Sequence, residues 1–259
     1  MAALVTTYGG RPVVAPALRE VPIESNTEAL AFADALIRNE FDLAILLTGV
    51  GTRVLLDVVQ SAGHLDAFVA ALARTKVAVR GPKPLGVIRD LGLRAWVTAP
   101  EPNTWRELLA ALDATGTPLK GLRVAVQEYG VSNPDLLQGL EARGARVTPV
   151  PVYRWALPED LEPLRGAVRS VVGGEVGVAI FTTGMQVVHL FQVAASLQQE
   201  EALREGLGRA VVASIGPTTS EELRQWRLSI DLEASHPKMG FLVREAAERG
   251  PDLLRSKRT

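Results

Sequence analysis

The chain matches itself when shifted by 135 residues, and no other feature of the sequence limits its fold so tightly. FDLAILLTGV (41–50) falls on VGVAIFTTGM (176–185), and KVAVRGPKP (76–84) falls on VVASIGPTT (211–219). Between Glu40–Ala111 and Glu175–Ala246, 20 of 72 aligned pairs are identical without a gap. They include Thr48/Thr183, Gly49/Gly184, Gly81/Gly216, Pro82/Pro217, Arg89/Arg224 and Pro102/Pro237. The register also holds near the ends, at Gly9/Gly144, Arg11/Arg146, Pro16/Pro151 and Arg19/Arg154. A period this long, held without slipping, reads as two copies of one folding unit rather than as a solenoid of short repeats.

Each copy alternates short Val/Ile-rich runs with helical stretches. In the first copy, a helix over 28–39 leads to LAILL (43–47), then helices over 51–60 and 65–73. VAVR (77–80), a helix over 82–91, RAWVT (94–98), a helix over 103–114, LRVAVQ (122–127), a helix over 133–143 and RVTPVPV (146–152) follow. Apolar strands separated by helices predict parallel sheets covered on both faces. Asn103 and Asn133 are the expected N-caps, with Pro134 at the first helical position and Gly144 at the stop. The expected fold class is α/β: two similar doubly wound, flavodoxin-like domains from an internal duplication, joined by a two-stranded linker, with one domain discontinuous. The expected domains are 25–145, and 1–11 together with 159–259. The proline-punctuated stretches 12–24 and 146–158 are the expected linker strands. Residues 121–135 have no counterpart under the offset, so the discontinuous domain is expected to lack its N-terminal strand and to be the less stable half.

Composition enters through what it excludes. With 28 basic and 29 acidic side chains, a net charge of −1 excludes a general nucleic-acid binder. The absence of cysteine excludes disulfides, iron–sulfur clusters, zinc ribbons and thiol nucleophiles. No apolar run reaches the roughly 18 residues of a membrane span, and the N-terminus lacks a signal-peptide profile. A cytoplasmic monomer with a small-molecule substrate, no nucleic acid and no membrane partner is the expectation.

In a doubly wound sheet, ligands bind beyond the carboxyl ends of the strands. The loops there are Thr48–Thr52, Arg80–Lys83, Thr98–Thr104, Glu128–Asn133, Thr182–Gln186, Gly216–Ser220 and Ser235–Gly240. They are rich in Gly, Thr, Ser and Asn. Small residues bring backbone N–H groups close to a ligand, and a helix N-terminus favours an anion. Taken singly, each threonine reads as a helix cap. As a set facing one cleft they read as a site for carboxylates or phosphates. The candidate binding residues are Thr48, Gly49, Gly81, Pro82, Lys83, Thr183, Gly184, Gly216, Pro217, Thr218 and Thr219. Arg19, Arg53, Arg80, Arg154 and Lys238 are candidate sources of a positive field.

TGVGT lacks the third glycine and the acidic residue of a dinucleotide fingerprint, and no Walker A motif is present. His64, His189 and His236 are scattered, so no metal site is expected. Serine elbows are absent. Tyr153, in Pro151-Val-Tyr-Arg-Trp155, stands apart from these. A phenol at a hinge is protonated at neutral pH and can pass its proton to a departing hydroxyl. It can equally brace the hinge by packing.

The chain resembles the uroporphyrinogen-III synthase family. The resemblance rests on Thr48-Gly49, the Val150-Pro-Val-Tyr153 hinge, Phe181-Thr-Thr-Gly184 and Ile215-Gly-Pro-Thr-Thr219, in that order and within the duplication. It implies two α/β domains with the site in the cleft between them, a linear hydroxymethylbilane substrate and no cofactor. It implies loss of the terminal hydroxyl as water, then inversion of ring D through a spiro intermediate before closure to uroporphyrinogen III, in heme biosynthesis. Tyr153 would be the catalytic residue, and Thr48, Thr183, Thr218 and Thr219 would be ligands. The alternative is a non-catalytic two-lobed binding or regulatory protein for an anionic small molecule.

Overall fold

The computed structural model describes residues 1–23, 26–128, 130 and 132–258, with nothing described of the side chains of Pro22 and Arg258. Chain contacts divide the protein into two units, Met1–Arg19 with Ala156–Thr259, and Glu20–Trp155. Ser25 and Thr259, the first and last residues of the expected domains, lie outside the described residues.

The chain opens with α1 (Ala2–Thr7) and β1 (Arg19–Pro22). The unit Glu20–Trp155 then carries α2 (Thr27–Ile37), β2 (Leu43–Leu46), α3 (Gly49–Ser61), α4 (Leu65–Arg74), β3 (Lys76–Val79), α5 (Pro82–Asp90), β4 (Val97–Thr98), α6 (Trp105–Ala114), β5 (Arg123–Gln127), α7 (Pro134–Glu141) and β6 (Arg146–Val150). Its sheet is parallel, in the order β4-β3-β2-β5-β6. Alternate residues of β2 serve opposite faces. Ala44 and Leu46 pack with Phe32, Leu36, Leu55 and Phe68 of α2, α3 and α4. Leu43 and Ile45 pack with Leu108, Leu112, Leu136 and Leu140 of α6 and α7. All four β2 residues are buried, which is why this strand reads as an unbroken apolar run.

β7 (Tyr153–Ala156) pairs with β1 in a separate two-stranded ladder, and both boundaries between the units fall inside it. The remaining elements are α8 (Glu162–Val172), β8 (Val178–Phe181), α9 (Gly184–Ser196), α10 (Glu200–Arg209), β9 (Val211–Ser214), α11 (Pro217–Gln225), β10 (Leu232–Glu233) and α12 (Met239–Arg258). β8, β9 and β10 form a parallel sheet in the order β10-β9-β8. Val178 pairs Val211 as Leu43 pairs Lys76, and Ala213 pairs Leu232 as Ala78 pairs Val97. Among the described residues β8 pairs only with β9. Its Val178, Ala179 and Ile180 are half-buried, where the residues of β2 are fully buried.

Several local expectations need correction. The stretch 146–158 is not one linker: 146–150 is β6, paired with β5 at the edge of a sheet, and only 153–156 joins the ladder with β1. Pro149 fits β6 because an edge strand can do without one N–H. RAWVT narrows to a two-residue strand, Val97–Thr98. Asn103 does not cap α6; it sits at φ 61, and Thr104 is the cap. Thr104 and Glu107 form a reciprocal capping box, which satisfies two N-terminal donors at once. Burial pushes the Glu107 carboxyl up, but the Thr104 hydrogen bonds outweigh it and hold the group below its usual value. Asn133 does cap α7, accepting from Leu136 N at 3.0 Å. Gly144 lies beyond the C-cap residue Ala142, at φ 81, and turns the chain into β6.

Candidate functional site

In Glu20–Trp155 the loops after β2, β3 and β4 touch. Thr48 caps α3, its Oγ1 accepting from Gly51 N at 3.0 Å, while Thr52 Oγ1 donates to the Thr48 carbonyl at 2.7 Å. Gly49 follows, so close to the next loop that an added Cβ would lie 3.0 Å from the carbonyl oxygen of Lys83. Gly81 caps α5 in extended backbone, and a Cβ there would lie 2.9 Å from the Asn103 side-chain amide. With its amide nitrogen turned to its acceptors, Asn103 donates to the carbonyls of Ala99 (3.1 Å) and Arg80 (3.3 Å). Thr48, Gly49, Gly81, Pro82 and Lys83 are thus brought together. Pro82 and Pro84 carry no N–H, so Lys83 supplies the amide of that first turn as well as an exposed ammonium.

The other unit repeats this arrangement with different chemistry. Thr183 caps α9 but makes no side-chain cap bond. Gly184 would bring a Cβ within 2.9 Å of Glu222 Cβ, so the start of α9 packs against the second turn of α11. Gly216 caps α11, with Pro217 at the first helical position. Ser214 braces the turn: its Oγ donates to the Gly216 carbonyl at 3.0 Å and accepts from Gly216 N at 3.3 Å. Thr218 is exposed and Thr219 is buried, so of the two only Thr218 presents its hydroxyl at the surface. A first turn that keeps the Thr218 and Thr219 amides can receive a carboxylate oxygen at its positive end. In the Ser235–Gly240 loop, Ser235 Oγ donates to Glu245 at 2.5 Å, and this bond holds the Glu245 carboxyl below its usual value.

Tyr153 is 4 % exposed and belongs to the apolar cluster of its unit. Its ring meets Trp155 edge-on, with centroids 5.4 Å apart at 88°. Its carbonyl accepts from Gly130 N at 3.2 Å, which ties β7 to the loop after β5. Gly130 lies at φ 65 against the Trp155 indole, where a Cβ would collide with the ring, so only glycine fits. Tyr129 and Val131 of that loop lie outside the described residues. Arg19 is committed to Glu159 (2.6 Å) and to the Leu157 carbonyl (3.2 Å), so its charge is already balanced. His189 is a packing residue, buried, with Nδ1 2.6 Å from the Ala17 carbonyl.

Sequence reasoning missed Gln127. It is buried at the end of β5, and its Oε1 accepts from Leu47 N (3.3 Å) and Thr48 N (3.4 Å). The signal was present as a mismatch. Gly51 faces Gln186 across the offset, inside a loop whose Thr-Gly is otherwise identical.

The described residues contain no helix long and apolar enough to cross a membrane. Residues 1–244 match the family described as "Uroporphyrinogen-III synthase HemD". A Methanothermobacter thermautotrophicus protein provisionally named a uroporphyrinogen-III synthase is 31% identical over 253 residues, 96% of this chain and 94% of that protein. Protein YjjA of Bacillus subtilis, uncharacterized, is 30% identical over 251 residues, 95% of this chain and 89% of that one. The crystal structure of a mutant uroporphyrinogen III synthase from Thermus thermophilus is similar with a TM-score of 0.71 and 27% identity, over 96% of this chain and 93% of that one.

Proposed function

The chain belongs to the uroporphyrinogen-III synthase family, and we propose that it is itself a synthase, a cyclising hydro-lyase that converts linear hydroxymethylbilane to uroporphyrinogen III. The match over residues 1–244 carries this reading. The loops support it, because they offer hydroxyls, backbone amides and Lys83 at helix N-termini, a donor set suited to acetate and propionate groups.

In this reading Tyr153 protonates the terminal hydroxyl. The C–O bond breaks with its electron pair on oxygen, water leaves, and a methylene cation conjugated to its pyrrole remains. Ring D attacks that carbon through its substituted α-carbon to give a spiro intermediate. The older bond from that α-carbon to the ring C methylene then breaks, and the free α-carbon of ring D bonds to the released methylene. The proton it loses as the pyrrole regains aromaticity returns to the Tyr153 phenolate. Thr48, Gly49, Gly81, Pro82 and Lys83 in one unit, and Thr183, Gly184, Gly216, Pro217, Thr218 and Thr219 in the other, hold the bilane for the inverted closure. The catalytic contribution is largely positioning, for which effective molarities are large. No cofactor takes part, and the protein acts as a monomer.

We also infer that the two units descend from one duplicated element, with the unit carrying both chain ends discontinuous. The starts of β2, β3 and β4 at 43, 76 and 97, against β8, β9 and β10 at 178, 211 and 232, support this. The burial of Tyr153 favours a second reading, in which the tyrosine braces the hinge of a binding protein. Incubation with fresh hydroxymethylbilane tests the choice. A synthase yields isomer III, and a binder leaves the spontaneous isomer I.

A further inference from the structure

The backbone N–H groups of Leu47 and Thr48 leave the sheet just past the last β2 pairs, Leu46↔Gln127 and Leu46↔Val79. A buried N–H without an acceptor is costly, so something must take these two. Gln127 Oε1 accepts both, at 3.3 and 3.4 Å. Its Nε2 donates to the Glu128 carbonyl, so both ends of the amide are committed and its orientation is fixed.

The other unit meets the same demand from another element. Thr182, 135 residues after Leu47, donates its N–H to Gln186 Oε1 at 2.7 Å, and its hydroxyl lies 3.4 Å from the same oxygen. Gln186 stands on α9, 135 residues after Gly51. The two solutions exclude one another. A Cβ at Gly51 would land on Gln127 Nε2 and lie 2.9 Å from Thr48 Oγ1. Where the glutamine comes from β5, position 51 is glycine and Thr48 caps its helix; where it comes from α9, Thr183 makes no side-chain cap bond.

We propose that Gln127 is the positioning residue of the Thr48–Gly49 loop, doing from β5 what Gln186 does from α9 for the Thr182–Gly184 loop. It acts through the loop amides and touches no reacting atom. The assignment of that loop to a substrate carboxylate rests on the function proposed above. The exchange of structural work between β5 and α9 does not.

The test transplants one solution into the other unit. Gln127→Ala should speed amide exchange at Leu47 and Thr48 about tenfold, the order expected for one lost hydrogen bond. With hydroxymethylbilane it should raise KM about tenfold and leave kcat within about threefold, the pattern of lost uniform binding. Adding Gly51→Gln to Gln127→Ala should restore both the amide protection and KM, although Gly51→Gln alone should be harmful. Such a reversal of sign marks direct coupling. Gln127→Glu, read at a pH low enough to keep the buried carboxyl neutral, keeps the acceptor and replaces the N–H donor by an O–H, so it should retain the Leu47 and Thr48 protection even if the alanine variant fails to fold. Unchanged Leu47 and Thr48 exchange in Gln127→Ala, or a double variant no better than Gln127→Ala, would overturn the proposal. Amide exchange is read without substrate, so a wild-type chain that makes no isomer III would sink the functional reading and leave this test intact.

Discussion

Replacing Tyr153 by phenylalanine separates its two readings, proton donor and hinge brace. The ring lies in an apolar cluster and packs edge-on against Trp155 at 5.4 Å. Phenylalanine keeps that ring and its edge-to-face pairing, a contact of about 0.5–1.5 kcal/mol beyond area burial. The packing volume is nearly conserved, so thermal unfolding should move by no more than about 1.5 kcal/mol. Tyr153→Ala, by contrast, empties a buried site and should cost about 3–5 kcal/mol. If the phenol gives its proton to the departing hydroxyl, Tyr153→Phe should lower the isomer-III rate about 10²–10⁴-fold. That is about 2.7–5.4 kcal/mol on the barrier, at 1.36 kcal/mol per tenfold. The assay pairs initial rates of isomer III with a melting curve for each variant. A loss near tenfold would move the proton to water or substrate and leave positioning dominant. A correctly folded Tyr153→Phe protein with full isomer-III activity would refute the acid and leave the tyrosine as a brace.

Three further outcomes follow from the packing and charges. Arg123 bonds Asp42 through its backbone N–H and its guanidinium, at 2.8–3.0 Å, and holds that carboxyl below its usual value, chiefly through the side-chain bonds. A lowered folded-state pKa adds stability above the unfolded value of about 4, lost as pH falls through the folded one. Both side chains are more than a third exposed, so Asp42→Asn should cost under about 1 kcal/mol and flatten the acid limb of the stability curve, as read by urea titration. Within α10, Gly206→Ala would press a Cβ to 2.5 Å from the Val171 carbonyl oxygen and should destabilise by about 1–3 kcal/mol, whereas Gly208→Ala meets nothing and should stabilise by about 0.5–1 kcal/mol. Equal melting shifts for the two would contradict the packing of α8 against α10. Amides of β8, paired on one side among the described residues and half-buried, should exchange faster than those of β2; uniform protection would contradict a weaker edge there.

What was legible in the sequence is what depends on local pattern. LAILL and VAVR mark β2 and β3 because a strand buried on both faces must be apolar throughout. Asn133-Pro134 marks the start of α7 because cap and first-turn preferences act over four residues. The cap of α6 was within reach of the same logic, since Thr104-x-x-Glu107 is the capping-box spacing. Other features are decided by neighbours distant in sequence. RAWVT shrinks to two paired residues because, among the described residues, it has a ladder only with the end of β3. The stretch 146–150 is a strand despite Pro149 because β5 lies beside it. Gln127 acquires its role 80 residues from Leu47, and nothing in the residues around it announces that contact.

Whether the chain is a synthase is decided by the isomer ratio of the product from hydroxymethylbilane at increasing protein concentration. Without catalysis the bilane closes to isomer I, and a synthase must divert it. The expected result is isomer III in an amount that rises with protein until isomer I disappears. Isomer I alone at every concentration, from protein shown to be folded by its melting curve, would contradict the proposed function.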